Sequence, residues 1–178
     1  MFTYIIIGIV FFIILIIIIE NHKRLMLDNL TIKIDEATKE IEILLEKKTE
    51  LLSKLSKIIG KLTDKKVLNE ISRIKNKKLD MFELEKQLYD LKKELNNYTE
   101  DNNLVLKEEE QTLIKKLESN DLELKALKLY YNNEVEIYNT YIKKITYLII
   151  KLIKKYKKIQ LFTIEKEVEF EILKNDNR

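Results

Sequence analysis

His22, the chain's one histidine, and the acidic run Glu108-Glu109-Glu110 are the residues whose types could bind a metal ion or move a proton. A carboxylate-bridged two-metal bundle draws Glu-x-x-His pairs from two helices and so needs more than one histidine. His22 is followed by Lys23 and Arg24, cations that make poor surroundings for a metal, and it reads as an interfacial residue. The three glutamates suit the start of a helix, where negative charge meets the positive end of the dipole. The chain has no cysteine and two glycines. That removes disulfides, thiolate chemistry and cysteine metal sites, and it leaves no glycine-rich phosphate loop. No catalytic constellation stands out. The expectation is a protein that is not an enzyme and needs no cofactor or metal.

One charged residue remains of interest because of its company. Lys48 falls on an otherwise apolar helical stripe. Polar residues at such positions commonly fix register, and a long lysine can also carry its charge out to the edge. A binding role is the third reading.

The elements that must position these residues are helices. The 178 residues include no proline and no tryptophan, and 35% are charged. With breakers so rare, the balance of Lys, Glu, Leu and Ile predicts long helices packed along stripes. A net charge of +3 gives a weak overall field, so electrostatic partners must be sought in local clusters.

Residues 2–19 are uncharged and almost wholly Ile, Leu, Val and Phe. As a helix they span about 27 Å at about 1.5 Å per residue, close to a hydrocarbon core of about 30 Å. A core helix would keep one polar face, and this segment has none. A cleaved signal peptide wants a basic start and a small-residue cleavage site, and neither is present. The expectation is a single-pass transmembrane helix in contact with the lipid bilayer. Lys23 and Arg24 follow the run and no basic residue precedes it, so the positive-inside rule puts the bulk of the chain in the cytoplasm.

Beyond the anchor, Leu27, Leu30, Ile34, Ala37, Ile41, Leu44, Leu51, Leu55, Ile58 and Leu62 alternate by threes and fours, the seam of a long helix. Ile43, Leu45, Leu52 and Ile59 widen that seam beyond a two-stranded coiled coil and favour a bundle. The stretch 60–66, which opens on Gly60, offers the first break. A second helix is expected over about 67–95, with 96–103 as an Asn/Asp-rich connector. A third starts near Val105 and carries Leu113, Leu117, Leu124, Leu127, Tyr131, Tyr138, Ile142, Ile145 and Ile149. Short connectors make such helices antiparallel neighbours. The fold class is all-α: an N-terminal transmembrane helix, then a long antiparallel up-down bundle of three to four helices. The division is an anchor with its basic flank at 1–24, a bundle at 25–160 and an extended or disordered tail at 161–178.

Within the third helix, Tyr131-Asn132 and Tyr138-Asn139 repeat seven residues apart. The tyrosines share the core face and the asparagines stand at its edge. Then the composition turns to isoleucine and lysine. Over 143–158, Lys143, Lys144, Lys151, Lys154, Lys155 and Lys158 oppose an aliphatic face. Such a helix can lie on an anionic lipid surface, or cap the bundle with solvated lysines. Lysines interleaved with aliphatics and no recognition motif argue against nucleic acid.

The pattern Tyr-Asn, Val, Tyr-Asn, Ile across 131–142 resembles the C-terminal motif of the bacterial LemA family. Upstream, residues 34–55 look like that family's first long helix, with Ala37, Ile41, Leu45, Leu51 and Leu55 at its apolar positions and Lys48 where arginine is usual. Tyr156 and Phe162 fall on aromatic positions of the closing motif. Ile145-Thr146 stands where the family typically has Phe-Pro, and Lys151 and Lys155 stand where a small Ala and a Gly are expected. The resemblance implies a membrane-anchored helical protein of poorly defined molecular role, with Lys48, Tyr131, Asn132, Tyr138 and Asn139 as motif or interaction residues. Two functions follow: a non-enzymatic scaffold that binds an unknown protein, itself or lipid, or a regulatory adaptor that presents substrates to a membrane protein such as a protease.

Overall fold

The protein is all-α, with three long helices packed together; the computed structural model describes residues 2–63, 71, 73–74, 79–102, 107–144, 147 and 156–164. The first helix, α1 (Phe2–Thr63), is continuous for 62 residues. Its N-terminal part is apolar on every side and none of it is buried within the protein. It is the one segment among the described residues long and apolar enough to cross a membrane. From Leu27 onward one face is buried, through Ile34, Ala37, Ile41, Leu45, Leu52, Leu55 and Ile59. Hydroxyl residues along the helix do not interrupt it. Thr31, Thr38 and Thr49 each donate to the carbonyl four residues back, at 2.9, 2.7 and 2.7 Å, which satisfies the side chain without breaking the ladder.

The core face drifts away from the heptad positions expected at Leu44 and Ile58. These two are half-buried, while Leu45, Leu52 and Ile59 are fully buried. A straight helix of 3.6 residues per turn slips about 20° per heptad against a strict 3.5 repeat, so over this length the buried stripe moves by one residue. The end of α1 at Thr63 falls within the stretch 60–66 where the first break was expected.

Helix α2 (Met81–Asp101) starts on Asp80, whose Oδ1 accepts from the N–H groups of Phe82 at 3.0 Å and Glu83 at 2.9 Å. The earlier part of the expected second helix lies largely outside the described residues. At the other end, the expected connector is helical as far as Asp101. Its polar side chains find partners inside the helix: Asn96 donates to Glu100, and the buried Thr99 hydroxyl donates to the Leu95 carbonyl at 2.6 Å. Asn102 then closes the helix, its N–H and its amide both reaching the Tyr98 carbonyl.

Helix α3 (Glu108–Lys143) opens with Glu108, Glu109 and Glu110 in its first turn. The Glu110 carboxylate accepts from the Lys107 N–H at 2.6 Å, half of a capping box. The three-four rhythm survives, but Ile114 and Lys128 are buried where Leu113 and Leu127 were expected, and those leucines are half-buried. The helix stops at Lys143, short of the expected seam position at Ile149, which lies outside the described residues. Lys144 and Tyr147 each donate three residues back, at 3.0 Å, tightening the chain out of the helix.

Both α1 and α2 run antiparallel to α3. Glu85 and Lys92 of α2 pair with Lys128 and Asp121 respectively; Lys33 of α1 meets Glu134, while Leu44 meets Asn120. The chain forms two compact units, Met1–Thr38 with Tyr130–Leu161, and Lys39–Leu129 with Phe162–Arg178. Helices α1 and α3 contribute to each.

Candidate functional site

In the first unit, the last turns of α3 carry the repeated Tyr-Asn pairs, and their role is visible in what they hold. Residues 156–164 are neither helix nor strand, so their backbone groups lack ladder partners. Asn139 supplies them. Its Nδ2 donates to the Ile159 carbonyl at 2.8 Å, and its Oδ1 accepts from the Ile159 N–H at 3.0 Å. A carboxamide has the donor and acceptor of a peptide group, so Asn139 stands in for a neighbouring strand. The Tyr131 hydroxyl donates to the next carbonyl, that of Gln160, at 3.0 Å. Asn139 is buried, not at the edge of the face, and Asn132 is half-buried.

The aromatic rings complete this clasp. Tyr138 meets Tyr156 edge to face, with centroids 6.2 Å apart at 84°, a favoured aromatic geometry. The Tyr156 hydroxyl donates to Asp28 Oδ1 at 2.8 Å, tying the segment to α1. Below it, the Tyr147 hydroxyl lies 3.8 Å from Met26 Sδ, and Lys23 Nζ stands 5.6 Å from the Tyr147 ring centroid. Burial pushes the Tyr131 hydroxyl up to about 12. Burial, then the hydrogen bond and charge of Asp28, push Tyr156 up to about 12. Tyr138 is raised by burial; Tyr147 is raised first by burial and then by Tyr141. These phenols are neutral hydrogen-bond donors, the opposite of what a phenolate nucleophile or base requires.

In the second unit, Lys48 has the partner its position demanded. Its Nζ lies 2.8 Å from Asp121 Oδ1, and Lys92 Nζ lies 2.6 Å from Asp121 Oδ2. The side chains of Lys48 and Lys92 are 4% and 3% exposed and that of Asp121 is 13% exposed, so one carboxylate joins all three helices. A second buried pair, Lys128 with Glu85 at 2.6 Å, joins α2 to α3. Asn120, fully buried, donates to the Leu44 carbonyl at 3.2 Å. Buried charge needs such pairing, because desolvation costs several kcal/mol per ion.

The structure thus brings Tyr131, Tyr138 and Asn139 onto one segment and places Lys48 in the other unit. Lys158 is exposed within the clasped segment; Lys151, Lys154 and Lys155 lie outside the described residues. Sequence reasoning missed Asp28, Lys92 and Asp121. The one available signal for Asp121 was the polar interruption of the seam at its neighbour Asn120.

No curated protein and no solved structure matches the chain. The LemA family model does match it, over residues 37–172, a span that includes the clasp residues Tyr131, Tyr138, Asn139 and Tyr156 and the buried lysine–aspartate cluster. With more than half of its length covered by that match, the chain belongs to the LemA family.

Proposed function

We propose that the protein is a single-pass membrane-anchored scaffold without catalytic activity, its bundle held in the cytoplasm. The observation that carries this reading is the continuity of α1: one helix is apolar and wholly exposed at its start and forms bundle core further along. A continuous helix of that kind tethers the packed helices to a bilayer. The conspicuous polar residues support the same reading, since Tyr131, Asn139, Tyr156, Lys48, Lys92 and Asp121 all tie the chain to itself. A partner surface is available on α3, where Leu122 and Leu129 are 58% and 51% exposed and lie seven residues apart on one helical face. The partner is an unknown protein or a second copy.

Alkaline extraction of membranes containing the full chain tests the anchor, and an introduced cysteine tests its direction. The chain has no native cysteine, so Lys61→Cys gives a single thiol. The expected result is a chain that stays in the membrane pellet, with the thiol labelled by an impermeant maleimide in inside-out vesicles alone. A chain released by alkali, or a thiol labelled from outside intact cells, would overturn the reading.

A further inference from the structure

We propose that the C-terminal end of the first unit forms a tyrosine–lysine collar that binds anionic phospholipid headgroups in the bilayer holding the anchor. This deepens the anchored reading above and rests on it. The geometry begins at Ile19, the last residue of the uncharged run. Lys23 is four residues further along the same helix, about 6 Å at about 1.5 Å per residue. The polar layer on each side of a bilayer is about 5–7 Å deep. Lys23 and the Tyr147 ring beneath it, with centroid 5.6 Å from the ammonium, therefore stand at headgroup level.

Tyr147 is one end of a larger cluster. Its ring centroid is 5.4 Å from that of Tyr141, and Lys144 Nζ stands 4.8 Å from the Tyr141 centroid. Tyrosine prefers the membrane–water boundary, where its ring meets the apolar side and its hydroxyl the wet side. The described residues around this cluster, 141–144 and 156–161, carry Lys143, Lys144, Lys157 and Lys158 and not one carboxylate. All four lysines are exposed. Two acids stand nearby: Glu20 pairs with Lys23 at 2.6 Å and offsets that one charge, and Asp28 accepts from Tyr156 while facing Arg24 at 3.6 Å. Tyr156 is held to Asp28, nine residues past Ile19, about 13 Å along the helix. Lysine side chains at 157 and 158 reach headgroups from there, within about a Debye length of the surface. Cations set at this height and fixed by the clasp select anionic over zwitterionic lipid without paying for their own ordering.

Electron spin resonance of headgroup-matched probes tests the collar on the full chain. The chain is reconstituted in vesicles of phosphatidylcholine with equal parts phosphatidylglycerol, containing spin-labelled phosphatidylglycerol or spin-labelled phosphatidylcholine. The expected result is a motionally restricted population selecting the anionic probe at least threefold, with the preference lost at high salt. Changing Lys143, Lys144, Lys157 and Lys158 together to Gln brings the ratio close to one, with helix content unchanged by circular dichroism. Changing the exposed Lys115 and Lys116 of the second unit to Gln leaves the ratio as it was. Equal restriction of both probes by the unaltered chain overturns the collar. So does selectivity that survives the fourfold change, which would place it on other cations of the chain. No restricted population with either probe means the anchor itself has failed, a separate result.

Discussion

Asp121 is held by two ammonium groups, and the consequence of removing it follows from burial. Asp121→Ala leaves Lys48 and Lys92, both almost wholly buried, without this carboxylate. Breaking a buried ion pair by deleting one partner costs about 3–5 kcal/mol. Urea unfolding of the chain in mild detergent should show a loss of that order. Lys48→Met should cost much less, because Lys92 still meets Asp121 and the apolar chain fills the same space. Equal losses for both would show that Lys48 does more than compensate charge. The clasp makes a second prediction, in pH. Tyr131 and Tyr156 hold their protons to about 12, against the usual 10.0. The unfolded chain releases them near 10, so their contribution is intact below pH 10 and is lost as pH rises from about 10 to 12. Helicity against pH should fall in that window. Replacing both tyrosines by Phe should move the alkaline midpoint upward, although each lost hydrogen bond costs about 1 kcal/mol at neutral pH.

Helices start and stop here for reasons that are partly local. Asp80 satisfies two N–H groups of α2, and Asp80→Ala should cost about 1 kcal/mol, measured by the same urea unfolding; no change would mean that the first turn of α2 adds nothing to global stability. The expected second helix over about 67–95 ran through Asp80, so this N-cap was not read from the sequence, and neither was the C-terminal limit of α2. Asn96, Thr99 and Asp101 favour turns when their side chains capture nearby backbone, yet here Thr99 bonds within the helix and Asn96 reaches Glu100. Once packing buries Leu95 and Thr99, that internal option wins. The seam of α1 teaches the same lesson: its existence followed from periodicity, while its true register, through Leu45, Leu52 and Ile59, follows the mismatch between 3.6 residues per turn and a strict heptad.

For the molecule as a whole, the long apolar segment is the property most independent of packing. Eighteen uncharged residues at 2–19 favour insertion by several kcal/mol, at about −0.3 to −0.6 kcal/mol for each large apolar side chain. Lysines at Ile13 and Ile14 would oppose this by about 2.5–3.5 kcal/mol each, so that double variant should move the chain toward the soluble fraction in the extraction experiment. These features rest on composition and on a period of 3.6, which neighbouring residues carry between them. The all-α class, the long apolar segment and the family membership were therefore available from the order of residues alone. The partners were not. Lys48 and Asp121 are 73 positions apart in the sequence, and nothing local in either names the other. Asn139 reads a peptide group at Ile159, and a backbone amide looks the same at every residue. Tertiary structure decided both, because charge pairing and backbone recognition depend on which groups come within 3 Å once the helices have packed.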